Sequence, residues 1–369
     1  MRQVKNIASI VLITIVLFLL CDFTLSHLGF TPHRKHNSTT AACYVHPVYH
    51  YDLKPNLDIF SPWGPITSRL CTNSFGFRVA CSSAGETRKD FDLAFIGDSF
   101  TESIGTTYED SFVGLYAQTH PQLAVVNLGV RGYSATHYWK KIEFLLRNGF
   151  TFKHIVVLPD LSDISDEASL AVDEKSDASV VQAGASEDTH EKAAKVAIQD
   201  ENFFHKILKT HFKFTWYMNS RIYDYFYIDD DAVFKKLVEY PPGEWTRNIE
   251  SPNFGKEGVR GAIQKNLTKM RKLKQLLDTH NIRMTIVVYP WPTQLFFENA
   301  SHLGMQIWKD FCAKEACYNF IDANPYFFDE IERSSRRAVI EKYYIRGDIH
   351  FNTEGNKKLF EAINAQLTP

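Results

Sequence analysis

Short apolar runs alternate with amphipathic stretches along the chain from about residue 92 onwards. The predicted strands are runs of four to seven mostly apolar residues, short enough for buried strands, at 93–96, 124–128, 154–158 and 283–289. Helical spacing of apolar residues is found at 134–146, 257–279 and 357–367. Strands that alternate with helices predict a parallel sheet with helices on both of its faces.

A longer apolar run lies close to the N-terminus. Arg2 and Lys5 precede a mostly apolar stretch from Ile7 to Leu25, which Asp22 interrupts. This length is short for a bilayer-spanning helix and long for the core of a signal peptide, and no small-residue cleavage site follows it closely. We predict that residues 1–25 form an uncleaved transmembrane signal anchor and that the remainder is extracytoplasmic, in a periplasm or a lumen. A cleaved signal peptide and a buried helix are the alternatives.

Composition changes along the chain and suggests boundaries between its parts. Residues 26–45 are polar and predict a linker, and residues 46–90 predict an irregular N-terminal cap with Pro, Gly and aromatic residues. A catalytic-type domain then spans residues 91–369, with an insertion at 165–250 where the alternation of strands and helices stops. Within the insertion, residues 203–226 are rich in aromatic side chains and predict either core-facing helices or a lid beside a binding site.

Overall composition supports a large packed core and excludes one class of partner. Hydrophobic residues make up 44% of the 369 residues, and the formal net charge is −2. No excess positive charge is available to meet phosphate groups, so we expect no nucleic-acid partner.

Four of the six cysteines lie in two close pairs, Cys71 with Cys81 and Cys312 with Cys317. Either pair is close enough to bridge a local loop in an oxidising compartment. Buried free thiols are the alternative. No C-x-x-C is present, and the spacings suit no common zinc site, so we predict neither a metal nor a cofactor.

Residues capable of chemistry follow the predicted strands. In open parallel sheets, ligands bind beyond the carboxyl ends of the strands. The residues expected there are Ser99 after the first strand, Gly132 after the second, and Asp160, Ser162 and Asp163 after the third, while Asp348 and His350 precede the last helix. A serine nucleophile needs a histidine base, a carboxylate that orients the base, and backbone N–H groups that face the oxyanion. Ser99, His350, Asp348 and Gly132 are candidates for these four roles.

Three segments resemble the sequence blocks of the SGNH/GDSL hydrolases. They are Phe95-Ile-Gly-Asp-Ser-Phe100, Asn127-Leu-Gly-Val-Arg-Gly-Tyr-Ser134 and Gly347-Asp-Ile-His-Phe-Asn-Thr-Glu-Gly355. The resemblance implies an α/β fold, a flavodoxin-like three-layer sandwich around a central parallel sheet. It also implies that Ser99 is the nucleophile, with His350 and Asp348 completing the triad. The backbone N–H groups of Ser99 and Gly132 would then form the oxyanion hole.

The chain departs from the family pattern at two places. The third block is usually Gly-x-Asn-Asp, but the corresponding segment here is Asp160-Leu-Ser-Asp163, which places Ser162 at the position of the oxyanion-hole Asn. The last block is usually Asp-x-x-His, whereas only Ile349 separates Asp348 from His350. This shorter spacing is similar to that of alginate-acetyltransferase-type relatives, which favours acyl transfer.

Several neighbouring residues have a structural and a functional interpretation. Asp98 is expected to cap a helix and not to react. The acidic segment that contains Asp163, Asp166 and Glu167 predicts a solvated loop, with metal ligation as the alternative. Trp291 either packs at the rim of the site or stacks on a sugar ring. We include Asp160, Asp163 and Trp291 as candidate substrate-binding residues.

The sequence therefore predicts a membrane-anchored serine esterase that acts on an O-acylated carbohydrate or another small acyl ester. The first alternative is an O-acetyltransferase that modifies a cell-surface polysaccharide, since both activities share an acyl-enzyme. The second alternative is a non-catalytic carbohydrate-binding protein on the same fold.

Overall fold

The computed structural model describes residues 2–28, 42–170, 229–252 and 254–367, together with residues 207, 210–215 and 218. The chain divides into two compact units. One comprises Met1–His36 and Glu187–Val233, and the other comprises Asn37–Ser186 and Phe234–Pro369.

The first unit contains helix α1 (Arg2–His27). Its segment Ile10–His27 has a mean hydropathy of 2.2 and is 11% buried, so by length and composition it is able to cross a membrane. Among the described residues it is the one helix with this property. The helix coincides with the predicted anchor and ends two residues later.

The second unit is built on a five-stranded sheet. The strands are β5 (Asp90–Gly97), β6 (Val125–Asn127), β7 (Thr151–Leu158), β8 (Arg283–Val288) and β9 (Asn319–Asp322). They run in parallel in the order β6-β5-β7-β8-β9. Counted within the sheet, this is the 2-1-3-4-5 order of flavodoxin-like folds, and the predicted fold class is confirmed.

Helices cover both faces of this sheet. In chain order the helices after α1 are α2 (Ser99–Glu102), α3 (Phe112–Thr119), α4 (Ala135–Arg147), α5 (Asp163–Ser169), α6 (Asp230–Val238), α7 (Gly258–Thr279), α8 (Pro292–Phe297), α9 (Leu303–Glu315), α10 (Asn324–Ile331), α11 (Arg336–Tyr343) and α12 (Thr353–Gln366). The division between the two units falls within α6, after Val233. Apolar residues of α3, α10, α11 and α12 join one buried cluster, and those of α4, α9 and the C-terminal half of α7 join the other.

Alternation along the central strands produces the two clusters. In β5, Leu93 and Phe95 point to one cluster, whereas Ala94 and Ile96 point to the other. The part of this strand that is buried on both faces, residues 93–96, is therefore apolar, as its sequence predicted. The fifth strand was not predicted, because the four residues Asn319–Asp322 begin and end with polar side chains and give no apolar run.

The N-terminal cap is more regular than predicted. It contains two antiparallel hairpins, β1 (Cys43–His46) with β2 (His50–Leu53), and β3 (Asp58–Trp63) with β4 (Ile66–Cys71). The strands are four to six residues long and carry Pro, Ser and charged side chains, so their sequences lack a clear alternation. The expectation of an irregular cap was wrong for this reason.

A buried ion pair fastens the cap to the sheet domain. Lys141 Nζ in α4 lies 2.9 Å from Asp52 Oδ1 in β2, and both side chains are 1% exposed. Tyr49 donates its hydroxyl proton to the other oxygen of Asp52 at 2.9 Å. The Asp52 carboxylate thus has partners on both oxygens inside the interface.

The predicted insertion at 165–250 is not one structural block. Its part from Phe234 onwards belongs to the same unit as the sheet. Trp245 is 1% exposed and donates its indole N–H to the carbonyl oxygen of Leu161 at 2.9 Å. The segment 187–233 belongs to the unit of α1 instead.

We predict that Asp52→Ala destabilises the protein by about 3–5 kcal/mol, because it leaves the Lys141 ammonium buried without its carboxylate. Chemical denaturation of the full chain in detergent measures this change. The matched control is Asp58→Ala, which breaks an exposed pair with Arg69 and should barely alter stability. Equal effects of the two variants would contradict a dominant role for the buried pair.

Candidate active site

Ser99 lies at the carboxyl end of β5, at the start of α2. Asp98 caps this helix by accepting a hydrogen bond from the backbone N–H of Phe100 at 2.9 Å. The preceding residue has to be glycine, because a Cβ on Gly97 would lie 2.1 Å from Thr101 Oγ1 and 2.8 Å from the carbonyl oxygen of Leu158. The turn therefore packs tightly between β5 and β7, where the strand order of the sheet reverses and ligands bind in such folds.

His350 and Asp348 approach Ser99 from the loop before α12. The Oγ atom of Ser99 is 2.8 Å from His350 Nε2, and His350 Nδ1 is hydrogen-bonded to Asp348 Oδ1. The same carboxylate oxygen accepts the backbone N–H of His350 at 2.9 Å. The one-residue spacing thus lets a single oxygen hold both the backbone and the ring of the histidine. The three residues selected from the sequence lie together in one hydrogen-bonded line.

Trp63 is a member of the site that the sequence did not reveal. It ends β3, and its indole N–H donates to Asp348 Oδ2 at 2.8 Å. Its ring meets the His350 ring edge-on at 5.3 Å between centroids, and the guanidinium of Arg131 lies 5.6 Å from the centre of its ring. No local pattern marks Trp63, which is 285 residues away from Asp348 along the chain.

These contacts determine the charge of the Asp348 carboxyl group. Burial alone would raise its pKa, but the charge and hydrogen bonds of His350, with the indole N–H of Trp63, lower the pKa below the ordinary value. Asp348 is therefore ionised at neutral pH and aligned on the ring of His350.

The loop after β6 brings Gly132 into a left-handed conformation, with φ of +74°. Next to it, the backbone N–H of Arg131 donates to Glu102 Oε2 at 2.8 Å, and the guanidinium forms an ion pair with the same carboxylate. Burial would raise the pKa of Glu102, but Arg131 outweighs this and lowers it. The ion pair ties this loop to α2, the helix that begins with Ser99.

Ser162 has its hydroxyl directed at a neighbouring carboxylate. Its Oγ atom donates to Asp160 Oδ1 at 2.7 Å, and its backbone N–H donates to the same oxygen at 2.8 Å. The second oxygen of Asp160 accepts Tyr289 Oη and Trp291 Nε1, both at 2.8 Å. In this arrangement the hydroxyl proton of Ser162 is donated to Asp160. Ser162 can donate to an oxyanion only after its hydroxyl group rotates.

The candidate substrate-binding residues are buried. Asp160, Asp163 and Trp291 are 2%, 0% and 1% exposed. The indole of Trp291 stacks near Phe100, with 5.9 Å between ring centroids, and has no open face for a sugar ring. The structure therefore places these three side chains in the interior, in support of the turn that carries Ser99, and corrects the expectation of rim packing or sugar stacking.

The acidic segment is not the solvated loop that we expected. Asp163 accepts the hydroxyl of Tyr138 at 3.0 Å, and Glu167 is fully buried. Glu167 accepts the hydroxyl and the backbone N–H of Thr136, at 2.6 and 3.1 Å. The backbone N–H groups at the start of α4 have no acceptor within the helix, and a carboxylate is a strong acceptor at that position. This explains why Glu167 is buried there.

Three buried carboxyl groups meet beside the nucleophile. Asp98, Asp160 and Asp163 each offer an oxygen within 4.8 Å of the others. Burial and the charge of Asp160 raise the pKa of Asp98 well above its ordinary value. Burial and the charges of Asp98 and Asp160 do the same for Asp163. Protonation of some members thus relieves the repulsion between like charges.

Ser99 Oγ donates to Asp98 Oδ2 in this structure, so Asp98 and His350 compete for one hydroxyl proton. Ser99 Oγ is 2.9 Å from Asp98 Oδ2 as well as 2.8 Å from His350 Nε2, and a hydroxyl group has one proton. When that proton points to His350, the contact with Asp98 is a hydrogen bond only if the carboxyl group is the donor. The raised pKa of Asp98 agrees with this assignment.

No protein-family model and no curated protein matches the chain. Solved structures do show similarity. TesA is 11% identical, with a TM-score of 0.40, covering 75% of this chain and 98% of its own. Axe2, an acetylxylan esterase from Geobacillus stearothermophilus, is 12% identical, with a TM-score of 0.39 and coverage of 74% and 93%. A putative lipolytic protein of the G-D-S-L family from Desulfitobacterium hafniense DCB-2 is 12% identical, with a TM-score of 0.38 and coverage of 76% and 100%. At this level of similarity, the inference of function rests on the site geometry alone.

We predict a pH-dependent effect of Asp166→Asn on stability. Burial and the charge of Asp160 raise the pKa of Asp166 from 3.8 to about 8. Between these values the folded protein holds a proton that the unfolded chain has lost, so this carboxyl group destabilises the fold increasingly as pH rises. Denaturation at about pH 5 and about pH 8 should show the variant gaining stability relative to wild type at the higher pH. Asp329→Asn, which removes an exposed carboxylate, is the control, and a pH-independent difference between the Asp166 variant and wild type would contradict the assignment.

Proposed function

We propose that this protein is a serine esterase that hydrolyses acyl esters, with Ser99 as nucleophile, His350 as base and Asp348 as the orienting acid. The supporting observation is the hydrogen-bonded line from Asp348 through His350 to Ser99, at the carboxyl end of a central strand. Nucleophilic catalysis by serine requires this order of groups.

The reaction proceeds in two halves. Ser99 Oγ attacks the acyl carbonyl carbon while His350 Nε2 accepts the hydroxyl proton, and the proton then passes to the departing alcohol as the acyl-enzyme forms. Water attacks the acyl-enzyme, gives a proton to His350, and releases the carboxylic acid as Ser99 regains its proton. Backbone N–H groups of Ser99 and Gly132 stabilise the oxyanion in both halves. Within the described residues, no acceptor is bound to the Gly132 N–H, which leaves it available.

Two further groups support this chemistry. Trp63 holds the second oxygen of Asp348, so the carboxylate is fixed while the positive charge develops on His350. Protonation of Asp98 would reverse its 2.9 Å contact with Ser99, in which Ser99 Oγ is the donor in this structure. The carboxyl group would then donate to Ser99 Oγ and stabilise the negative charge that grows there as the proton leaves. When Asp98 is protonated, it no longer competes with His350 as an acceptor of the Ser99 proton.

The proposed substrate is an O-acylated carbohydrate, and the proposed location is the extracytoplasmic face of a membrane. Helix α1 supplies the anchor. Two disulfides, Cys71–Cys81 and Cys312–Cys317, support an oxidising compartment for the catalytic unit. These are the two pairs suggested by their spacing in the sequence.

Acyl transfer to a sugar hydroxyl is the second candidate, because the single residue between Asp348 and His350 is similar to transferase relatives. Both reactions share the acyl-enzyme and differ only in the acceptor. The 2.8 Å contact between Ser99 and His350 argues against the binding-protein alternative, which has no need of it.

The test is an assay of the full chain in detergent with p-nitrophenyl acetate and with acetylated oligosaccharides, each with and without an unacetylated sugar acceptor. Release of acetate without an acceptor supports the esterase, and acetylated acceptor as the main product supports the transferase. Failure to turn over any acyl ester, together with no labelling of Ser99 by a fluorophosphonate, would refute both.

We predict that Ser99→Ala lowers kcat by a factor on the order of 10⁶ and that His350→Ala is comparably damaging, because nucleophile and base act as a unit. Stability should change by roughly 0.5 kcal/mol or less for Ser99→Ala, since one hydroxyl is lost from a partly exposed turn. Steady-state kinetics and thermal denaturation measure the two effects. Full activity of Ser99→Ala on every ester that wild type cleaves would exclude the serine mechanism.

We predict that Asp98→Asn retains far more activity than Asp98→Ala. An amide keeps both contacts of the protonated carboxyl group, accepting from Phe100 N and donating to Ser99 Oγ, while alanine removes both. The pH profile of kcat/KM provides the second measurement, and Asp98→Asn should lack any loss at high pH that ionisation of Asp98 causes in wild type. Equal losses in the two variants would show that Asp98 acts as a carboxylate.

A further inference from the structure

A buried carboxylate lies in the apolar helix α1. Asp22 is 3% exposed and Ser26, one turn further along, is 5% exposed, and Ser26 Oγ donates to Asp22 Oδ1 at 3.2 Å. The apolar residues around them are exposed, including Leu17 at 60% and Leu20 at 58%. The face of the helix that carries Asp22 and Ser26 is polar, and it is the face that is covered.

A segment of the insertion covers this face. The backbone N–H of Phe214 donates to one oxygen of Asp22 at 2.9 Å. The N–H and the hydroxyl of Thr215 donate to the other oxygen, at 2.7 and 2.6 Å. Lys213 adds a bond from its N–H to Ser26 Oγ at 3.0 Å. The carboxylate thus accepts three hydrogen bonds from a segment about 190 residues away in the chain.

Aromatic rings extend the contact on both sides of the hydrogen bonds. The rings of His27 and His211 stack with 5.2 Å between centroids, and Phe23 lies 5.7 Å from Phe212. These contacts belong entirely to the unit that contains α1.

The physical reason for this pairing is the environment of α1. A carboxylate in an apolar, membrane-crossing stretch is costly unless its oxygens have partners, and backbone N–H groups must also be satisfied there. Asp22 and the N–H groups of residues 213–215 satisfy each other. On the outer side of the segment, Phe214 and Met218 are each 45% exposed, as expected for side chains that face lipid.

We propose that residues 210–215 are a second membrane-binding element, which docks on α1 through Asp22 and contacts the bilayer. The catalytic unit is then attached to the membrane at two points of its sequence, through the linker after α1 and through the insertion. The partner of this surface is the lipid bilayer that surrounds the helix.

The test uses the full chain in proteoliposomes, with a specific protease site introduced in residues 29–41. Cleavage there separates α1 from the catalytic unit covalently. If the docked segment holds the two together, most of the catalytic unit stays in the membrane pellet after cleavage and a high-salt wash, and detergent releases it. Release of the unit from wild type on cleavage alone would overturn the proposal.

The variants distinguish docking on α1 from direct attachment to lipid. Asp22→Ala should lose retention after cleavage, whereas the matched control Thr24→Ala should keep it, because the Thr24 hydroxyl donates to the carbonyl oxygen of Leu20 in its own helix. Retention that survives Asp22→Ala would overturn docking through this residue.

If Asp22→Ala fails to insert, a cysteine pair decides the question. His27→Cys with His211→Cys should be joined by a cleavable thiol-reactive cross-linker in the membrane-bound protein, making retention sensitive to reductant. Absence of the cross-link after treatment with this reagent would overturn the contact. None of these measurements depends on esterase activity.

Discussion

One proton on Ser99 constrains the arrangement of the whole site. The hydroxyl lies between the ring of His350 and the carboxyl group of Asp98, and it donates to only one of them. A proton on Asp98 would remove this competition, and burial together with the charge of Asp160 favours that proton because both raise the pKa of Asp98. The tight turn at Gly97 and the buried Asp160 are therefore connected to the chemistry of the nucleophile.

The contacts of Ser162 suggest a physical role for the unusual third sequence block, residues 160–163. With Ser162 in place of the usual asparagine, the hydroxyl and the backbone N–H both bind Asp160, which also accepts from Tyr289 and Trp291. Four donors on one carboxylate act to lower the pKa of Asp160, but burial outweighs them and its pKa is raised. Burial is the largest cause that raises the pKa of Asp98 and of Asp163, and the charge of Asp160 in its ionised form adds to it.

Sequence patterns predicted the fold and selected Ser99, Asp348 and His350, which lie together, because the relevant signals are local. Apolar runs identified four of the five strands, and the residues directly after them brought Ser99 to the correct edge of the sheet. The same patterns failed for Trp63, whose role depends on a hairpin meeting a loop 285 residues later. They also failed for Asp163 and Glu167. A run of acidic residues predicts a solvated loop, and the sequence does not show that the start of α4 and Tyr138 bind these two carboxyl groups.

The separation between Trp63 and Asp348 also determines the order of events during biosynthesis. The hairpin that carries Trp63 is synthesised 285 residues before Asp348. Ser99 and the strand that precedes it are likewise synthesised long before His350. The growing polypeptide therefore has a nucleophile without its base until the loop before α12 has been made.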